Sequence, residues 1–254
     1  MDHRANVYSP LQNTAIWVAA WLYGEISTDE CLDALRDLGG PHLLAQPGSQ
    51  DIGQTAELLR QFRAAALEEG VTLQLALSGP GDAPGLRAGS AAMTAAVASG
   101  IGALIMPGAF PHSRIFVPVA SAVGTQWRIF EESAPLPAPA YLSPGDADLL
   151  LADATRQAAT LIESQRFSTP DLPNPRLTIG TLADFYDTPG LPHCTPPRAA
   201  KLFARADQVS AIIEAVTTRI GDHSLDPFLL PLTRQIRLAR MAGVDYAVRE
   251  LARL

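Results

Sequence analysis

The sequence predicts an α+β protein, in which a small, mostly antiparallel sheet is covered by helices and a helical C-terminal half follows. Three observations support this prediction. Apolar residues recur at helical spacing before residue 70, short apolar runs separated by turn residues occupy positions 71–132, and helical spacing returns after residue 145. With 254 residues, 47% of them apolar, the chain is long enough to bury a sizeable core.

Helices and one short strand are predicted before the main sheet. The stretch "NTAIWVAAWLYG" predicts a helix with Asn13 or Thr14 as its N-cap and a glycine at its end. The next helix begins with Ser27 and Glu30 at capping-box spacing, where each side chain accepts a hydrogen bond from the other residue's backbone N–H. "HLLAQPG" then predicts a short strand, and the apolar stripe of "TAELLRQFRAAALEEG" predicts a third helix.

The main sheet is predicted from four apolar runs. "VTLQLAL" (71–77) alternates apolar and polar residues, and "IGALIMPG" is apolar almost throughout, as a buried strand is. Between them, Ser90 is the expected cap of a short alanine-rich helix. "RIFVPVASAV" and "TQWRIFEE" are joined by a short turn at Gly124, which predicts an antiparallel hairpin. Pro118 has no N–H to donate, so we expect its strand at a sheet edge or a bulge.

A proline-rich segment at residues 133–145 predicts an extended linker. It separates a mixed α/β segment, residues 1–132, from a helical segment, residues 146–254, and we expect the two to pack as one globular unit. Helical patterns fill the second segment, in "DADLLLADATRQAATLIESQ", "PPRAAKLFARADQVSAIIEAVTTRIG" and "SLDPFLLPLTRQIRLARMAG". A last short helix is expected after Gly243.

Several of these stretches resemble a family of uncharacterised proteins from actinobacteria. The resemblance lies in "LALSGPGDAPGL", the alanine-rich helix, "GALIMPG" and "TQWRIFEE", and it continues in "PPRAAKLFARADQV" and "LDPFLLPLTRQIRLARMAG". Pro80, Gly81 and Asp82 match a turn that is usual in that family. The resemblance covers about two-thirds of the chain. It implies an outline of the fold and assigns no activity, cofactor or catalytic residue.

The charge balance argues against a nucleic-acid partner. The net charge is −7, whereas a nucleic-acid-binding protein usually presents a basic face that displaces phosphate counterions. A basic cluster near the C-terminal end is formed by five arginines, namely Arg234, Arg237, Arg240, Arg249 and Arg253. We interpret these arginines as a solvated face, and binding to an anionic polymer is the alternative.

We expect a soluble cytoplasmic protein that makes no membrane contact. The apolar stretch "AIWVAAWLY" (15–23) is too short to span a bilayer. The sequence has two cysteines, Cys31 and Cys194, which are far apart. Such sparse cysteines are typical of a reduced intracellular protein and exclude a disulfide framework.

No motif for a metal or a cofactor is found, and neither is predicted. The five histidines are not spaced three or four residues apart, as paired metal ligands on a helix are. The glycine-rich turn at residues 79–85 follows a strand and precedes a helix, as a phosphate-binding loop does. Its prolines, Pro80 and Pro84, have no N–H to donate to a phosphate, so we interpret it as a structural turn.

Three residues are candidates for catalysis. Cys194 follows His193 and precedes two prolines that start a predicted helix, and a helix N-terminus lowers the pKa of a thiol. His112 lies in a turn between two predicted strands, with Arg114 close by. From Cys194, or from His112 with Arg114, we derive one hypothesis: an enzyme acting on a small molecule at a cleft between the two halves.

The preferred hypothesis is a protein that acts by binding or by self-association. No motif is specific for an enzymatic reaction, and the apolar helices exceed what one small sheet needs to cover it. The surplus apolar surface predicts a homodimer, whereas the sequence does not identify a small-molecule ligand.

Overall fold

The structure is a computed structural model that describes residues 10–44, 54–69, 72–80, 83–138, 141–164, 190–220 and 225–253. The chain divides into two compact units. Among the described residues, the sheet unit comprises 10–138, 190–196 and 244–253, and the helical unit comprises 141–164, 197–220 and 225–243. None of the described helices is long and apolar enough to cross a membrane.

Four helices belong to the sheet unit: α1 (Pro10–Leu22), α2 (Thr28–Gly39), α3 (Gln54–Glu69) and α4 (Ala91–Ser99). The capping box predicted for α2 is confirmed, since Ser27 Oγ accepts from the Glu30 N–H and the Glu30 carboxylate accepts from the Ser27 N–H. Ser90 caps α4 as predicted. The predicted cap of α1 is wrong, because the helix already begins at Pro10, a residue favoured in a first helical turn.

The sheet has five strands: β1 (His42–Leu44), β2 (Gln74–Leu77), β3 (Gly102–Pro107), β4 (Ser113–Ser121) and β5 (Gly124–Glu132). Their order is β1-β5-β4-β3-β2. The β1–β5 pair is parallel and the other three pairs are antiparallel. With the helices that surround it, this sheet confirms the predicted α+β class and its mostly antiparallel character.

The placement predicted for Pro118 is wrong, because β4 is the central strand and pairs with β5 in continuous register. β3 pairs with β4 only as far as Phe116. Pro118 therefore lies beyond the end of the neighbouring strand on one side, and on the other side it faces Trp127. A proline in this position breaks no hydrogen bond between β3 and β4, which explains how a central strand accommodates it.

Apolar side chains cover both faces of the sheet. On one face, Phe62 of α3 packs on Phe116, with ring centroids 4.2 Å apart, and meets the ring of Trp127 edge-on at 5.9 Å. Successive strand residues point to opposite faces, so the neighbours of Phe116 belong to the other face. There the alanines of α4 cover a second cluster of strand residues, Ala103, Ile105, Ile115 and Val117.

The helical unit contains α5 (Pro144–Ser164), α6 (Pro197–Ile220) and the part of α7 (Asp226–Leu251) that ends at Gly243. Their apolar stripes meet in one core, which includes Leu151, Leu202, Ile213, Leu229 and Ile236. This unit confirms the helical C-terminal half. Gly81 and Asp82, part of the turn that carries the family resemblance, lie outside the described residues.

α7 continues through Gly243 to Leu251, so the prediction of a separate last helix is wrong. The role of Gly243 is close packing rather than helix termination. A Cβ atom at this position would overlap the ring carbons of Phe203 on α6. The absence of a side chain therefore lets α6 and α7 approach each other closely at this level of the helical unit.

Candidate functional site

A pocket of about 170 Å³ lies in the sheet unit, at the end of the sheet where β4 turns into β5. Its wall combines the first turns of α1, the C-terminal end of α2, the start of β1 and the β4–β5 hairpin. The wall is mostly apolar, and its larger apolar residues are Leu11, Leu38, Ile101, Pro118 and Trp127. Concave, mostly apolar surfaces with a few polar groups are typical of small-molecule sites.

Close backbone contacts hold this end of the sheet together. The Thr125 N–H donates to the Pro41 carbonyl oxygen at 2.9 Å, and the Thr125 hydroxyl donates to the Gly39 carbonyl oxygen at 3.0 Å. Gly124 has a φ of +134°, and a Cβ atom there would overlap the Pro41 carbonyl oxygen. Only glycine fits this conformation, and it brings the end of α2 against the hairpin.

His42 and Trp127 form a hydrogen-bonded pair in the pocket wall. The Trp127 Nε1–H donates to His42 Nδ1 at 2.8 Å. Indole is a donor only, so Nδ1 is unprotonated, and Nε2–H donates to the Leu35 carbonyl oxygen at 2.8 Å. Burial lowers the pKa of His42, and the bond to Leu35 only partly offsets this effect. His42 is therefore a neutral residue with both ring nitrogens engaged.

Of the three hydroxyl groups in the described wall, two donate hydrogen bonds to the protein and one does not. The Ser121 hydroxyl donates to the Gly124 carbonyl oxygen at 2.7 Å, and Thr125 is bonded as described above. Thr14 is 3% exposed, and its hydroxyl makes no hydrogen bond with another residue in the described part of the chain. The wall contains no aspartate, glutamate, lysine or arginine among the described residues. This arrangement suits binding of an uncharged molecule and provides no free acid or base.

Cys194 lies in a turn of the sheet unit and is half-buried, whereas His193 beside it is exposed. Burial raises the pKa of the Cys194 thiol, a backbone hydrogen bond lowers it by less, and the negative charge of Glu25 adds a still smaller increase. This direction is opposite to that of an activated nucleophile. Cys31 is fully buried, which raises its pKa to about 12. The catalytic role of Cys194 stays a prediction.

His112 and Arg114 lie at the start of β4, whereas the pocket lies at the other end of that strand. His112 is exposed in the turn that connects β3 to β4. Arg114 Nε donates to Glu131 Oε1 at 2.8 Å, directly across the β4–β5 pair. Their catalytic role also stays a prediction. Among the described residues, no group of three histidine, cysteine, aspartate or glutamate side chains is placed to hold a metal ion.

The C-terminal arginines do not form one solvated face. Arg237 and Arg240 are buried, at 7% and 2% exposure, so that interpretation is wrong for these two residues. In the helical unit, Arg240 Nη1 pairs with Asp207 at 2.8 Å and Nη2 donates to Ser210 Oγ at 3.2 Å. Arg234 is exposed. Arg249 pairs with Asp245, and Arg253 pairs with Glu250; both carboxylates belong to α7.

The pocket residues were missed by the sequence analysis. The sequence predicts Thr14 as a possible helix cap and Trp127 as part of a strand, and the spacing of the histidines gives His42 no metal partner. The first turn of α1 and the β4–β5 hairpin are more than 100 positions apart in the sequence. No local signal indicates that they meet, and the parallel β1–β5 pairing that helps to bring them together has no turn motif of its own.

The fold and the pocket define an α+β protein with a helical second unit and a small apolar pocket in the sheet unit. Two family models match it: Rv1486c-like protein, N-terminal domain, over residues 12–141, and Rv1486c-like protein, C-terminal domain, over residues 145–241. The chain belongs to the Rv1486c-like protein family. This membership confirms the resemblance to uncharacterised actinobacterial proteins.

Relatives in mycobacteria match nearly the whole chain. The Uncharacterized protein MT1533 of Mycobacterium tuberculosis (strain CDC 1551 / Oshkosh) is 29% identical, over 94% of this chain and 96% of its own length. Uncharacterized protein Rv1486c of strain ATCC 25618 / H37Rv is 28% identical over the same shares. Uncharacterized protein ML1804 of Mycobacterium leprae is 28% identical, over 94% of this chain and 97% of its own length. No solved structure matches the chain.

Proposed function

We propose that this protein binds a small apolar molecule in the pocket of the sheet unit. The observation that supports the proposal is the pocket itself, with its volume of about 170 Å³ and its mostly apolar wall. An apolar cavity of about 150 Å³ is large enough to bind benzene. A one-ring molecule therefore matches this pocket in size, and transfer of its apolar surface from water provides the driving force.

Substitutions on β4 test the proposal. Ala120 faces the pocket and is exposed at its rim, whereas Val119 precedes it on the strand and points to the opposite sheet face. Ala120→Phe is expected to fill the pocket opening, and Val119→Phe adds a ring that does not enter the pocket. The readout is the NMR signal of the Trp127 indole N–H during a titration of the full chain with benzene.

The expected result is a saturable shift of the Trp127 signal in the wild type and in Val119→Phe, with a weakened shift in Ala120→Phe. Two outcomes overturn the proposal. One is a wild-type signal that does not respond to benzene at any accessible concentration. The other is an equal response in Ala120→Phe and the wild type, because benzene would then bind elsewhere in the molecule.

The helical unit favours self-association as a second function. The buried side of α5 includes Ala147 and Leu151, yet the same helix leaves Leu149, Leu150 and Leu161 between 44% and 65% exposed. Leu150 and Leu161 are three helical turns apart and share one side of the helix. In a twofold-symmetric dimer, a second copy of the chain presents the same leucines, so both apolar surfaces become buried together.

Light scattering tests the homodimer. The full chain is expected to elute at twice the monomer mass at micromolar concentration, and the double variant Leu150→Glu/Leu161→Glu at the monomer mass. Leu67→Glu is the matched control, because Leu67 is 80% exposed but belongs to the sheet unit. A wild-type monomer across the micromolar range, or a dimer that persists in the double variant, contradicts this assignment.

We also propose a cytoplasmic location and no nucleic-acid partner. Both cysteines are free thiols, as in a reducing compartment. The burial of Arg237 and Arg240 removes two of the five clustered arginines from any surface that a polyanion could contact. Measurable binding of DNA or RNA at low salt contradicts the second proposal, and fluorescence anisotropy with a labelled oligonucleotide detects it.

A further inference from the structure

We infer that the ligand of the pocket is an uncharged aromatic molecule with one hydrogen-bonding group, which pairs with the hydroxyl of Thr14. This inference rests on the proposed binding function and specifies the class of ligand. Its basis is the hydrogen bonding and the charge of the pocket wall, whereas the binding proposal depends on the volume of the pocket. The two can therefore fail separately.

Among the described side chains of the pocket wall, Thr14 is the one whose hydroxyl donor makes no hydrogen bond. The ring nitrogens of His42 are both engaged, and the hydroxyls of Ser121 and Thr125 donate to backbone carbonyl oxygens. Thr14 is buried, with 3% of its surface exposed. It lies in the pocket wall and has no hydrogen-bond partner within the described ranges. A threonine inside a helix commonly donates to the carbonyl oxygen four residues earlier, but Thr14 makes no such bond to Pro10.

The Thr14 hydroxyl lies in the pocket wall and makes no hydrogen bond within the described part of the protein, so it is available to a group that enters the pocket. A ligand group that reaches Thr14 gains a hydrogen bond there. This makes binding selective for molecules that carry a hydroxyl or a carbonyl group over purely apolar molecules of the same size. Such selectivity is the usual contribution of a single polar residue in an apolar pocket.

The charge and shape of the ligand follow from the rest of the wall. No charged side chain lines the pocket in the described part of the chain, and His42 is neutral. A charged ligand would therefore lose its hydration without gaining an ion-pair partner. The rings of His42 and Trp127 line the wall with centroids 5.9 Å apart and planes 26° apart, and the two residues are 2% and 1% exposed. An aromatic ligand packs favourably against the part of these rings that faces the pocket.

A comparison of phenol with benzene tests the inference on the full chain. Both molecules have one ring, and only phenol carries a hydroxyl. The wild type is expected to bind phenol about threefold to tenfold more tightly than benzene, as one additional hydrogen bond allows. Thr14→Val keeps the shape of the side chain without the hydroxyl, and its affinities for the two probes are expected to be equal. Thr14→Ser keeps the hydroxyl and should keep the preference.

Titrations that follow the Trp127 indole signal give both affinities. Equal affinities in the wild type overturn the inference and leave the binding function intact. A phenol preference that persists in Thr14→Val also overturns the inference, because another group then recognises the hydroxyl. No binding of either probe overturns both. Benzene binding to Thr14→Val shows that the variant is folded, and if it does not fold, the wild-type ratio and Thr14→Ser decide.

Discussion

Protonation of His42 should destabilise the sheet unit. Its Nδ1 accepts a hydrogen bond from the Trp127 Nε1–H, and its side chain is buried. A proton on Nδ1 would place two donors against each other and put a positive charge in an apolar environment. Burial accordingly lowers the pKa of His42 in the folded state below its usual value of about 6.5.

The sign and size of the effect follow from proton linkage. Below pH 6.5 the unfolded chain binds a proton at His42 that the folded state excludes, so the free energy of unfolding falls as the pH falls. One fully excluded proton lowers it by at most about 1.4 kcal/mol per pH unit, and by at most about 1 kcal/mol between pH 6.5 and 5.5. The stability is present above pH 6.5 and is lost progressively below it.

Urea unfolding at pH 5.5, 6.5 and 7.5 measures this dependence. Tryptophan emission reports on the sheet unit alone, because all three tryptophans of the chain belong to it. His42→Gln cannot titrate in this range and should show a flatter pH profile, whereas His112→Gln, an exposed position, should follow the wild type. Burial raises the pKa of Asp245, so this carboxyl group makes the free energy of unfolding fall as the pH rises. That contribution is opposite in sign to the one from His42 and is the same in all variants. A slope in His42→Gln as steep as in the wild type refutes the reasoning.

Three further predictions concern packing, the buried ion pair and the thiol. Gly243→Ala should cost about 1–3 kcal/mol, because its methyl group overlaps a facing phenyl ring, whereas Gly145→Ala, where no such overlap exists, should be neutral or slightly stabilising. Arg240→Ala should cost about 3–5 kcal/mol, because it breaks a buried ion pair, whereas Arg205→Ala breaks an exposed pair and should cost less than about 1 kcal/mol. Chemical unfolding followed by circular dichroism measures all four variants, and equal losses within either pair contradict the argument. In native protein, Cys194 should be the alkylated thiol and should react with iodoacetamide more slowly than a model thiol at pH 7, since burial and a nearby carboxylate raise its pKa; a faster rate by mass spectrometry favours the enzyme hypothesis.

Elements with a local chemical signal were predictable from the sequence. The capping box of Ser27 and Glu30, the cap at Ser90 and the hairpin at Gly124 each depend on residues within a few positions of one another. The start of α1 was not predictable from the sequence. Asn13 and Thr14 are favourable caps in isolation, and the local pattern does not decide between a start at these residues and an earlier start at Pro10. Burial decides, since Asn13 and Thr14 are both enclosed.

The pocket could not be predicted, because its wall depends on the tertiary arrangement. His42 and Trp127 become neighbours only when β1 pairs with β5, and these strands are separated by most of the sheet unit. Alternation along β5 indicates that Trp127 is buried, but not what covers it. The free hydroxyl of Thr14 is likewise a property of its surroundings, because most threonines inside a helix bond to their own backbone. Sequence patterns therefore indicate burial, whereas the chemistry of this site depends on which buried groups meet.

The burial of Arg240 follows from its position on α7. Arg240 follows Ile236 by four residues and precedes Gly243 by three, so it shares the face of α7 that packs into the helical core. On α6, Asp207 and Ser210 follow the core residue Phe203 by four and seven positions and lie on its packed face. A cation and a carboxylate on the inward faces of two successive helices predict a buried pair, because neither charge is stable there alone. The clustering of the arginines along the chain does not indicate which of them are buried, whereas their positions on the helix face do.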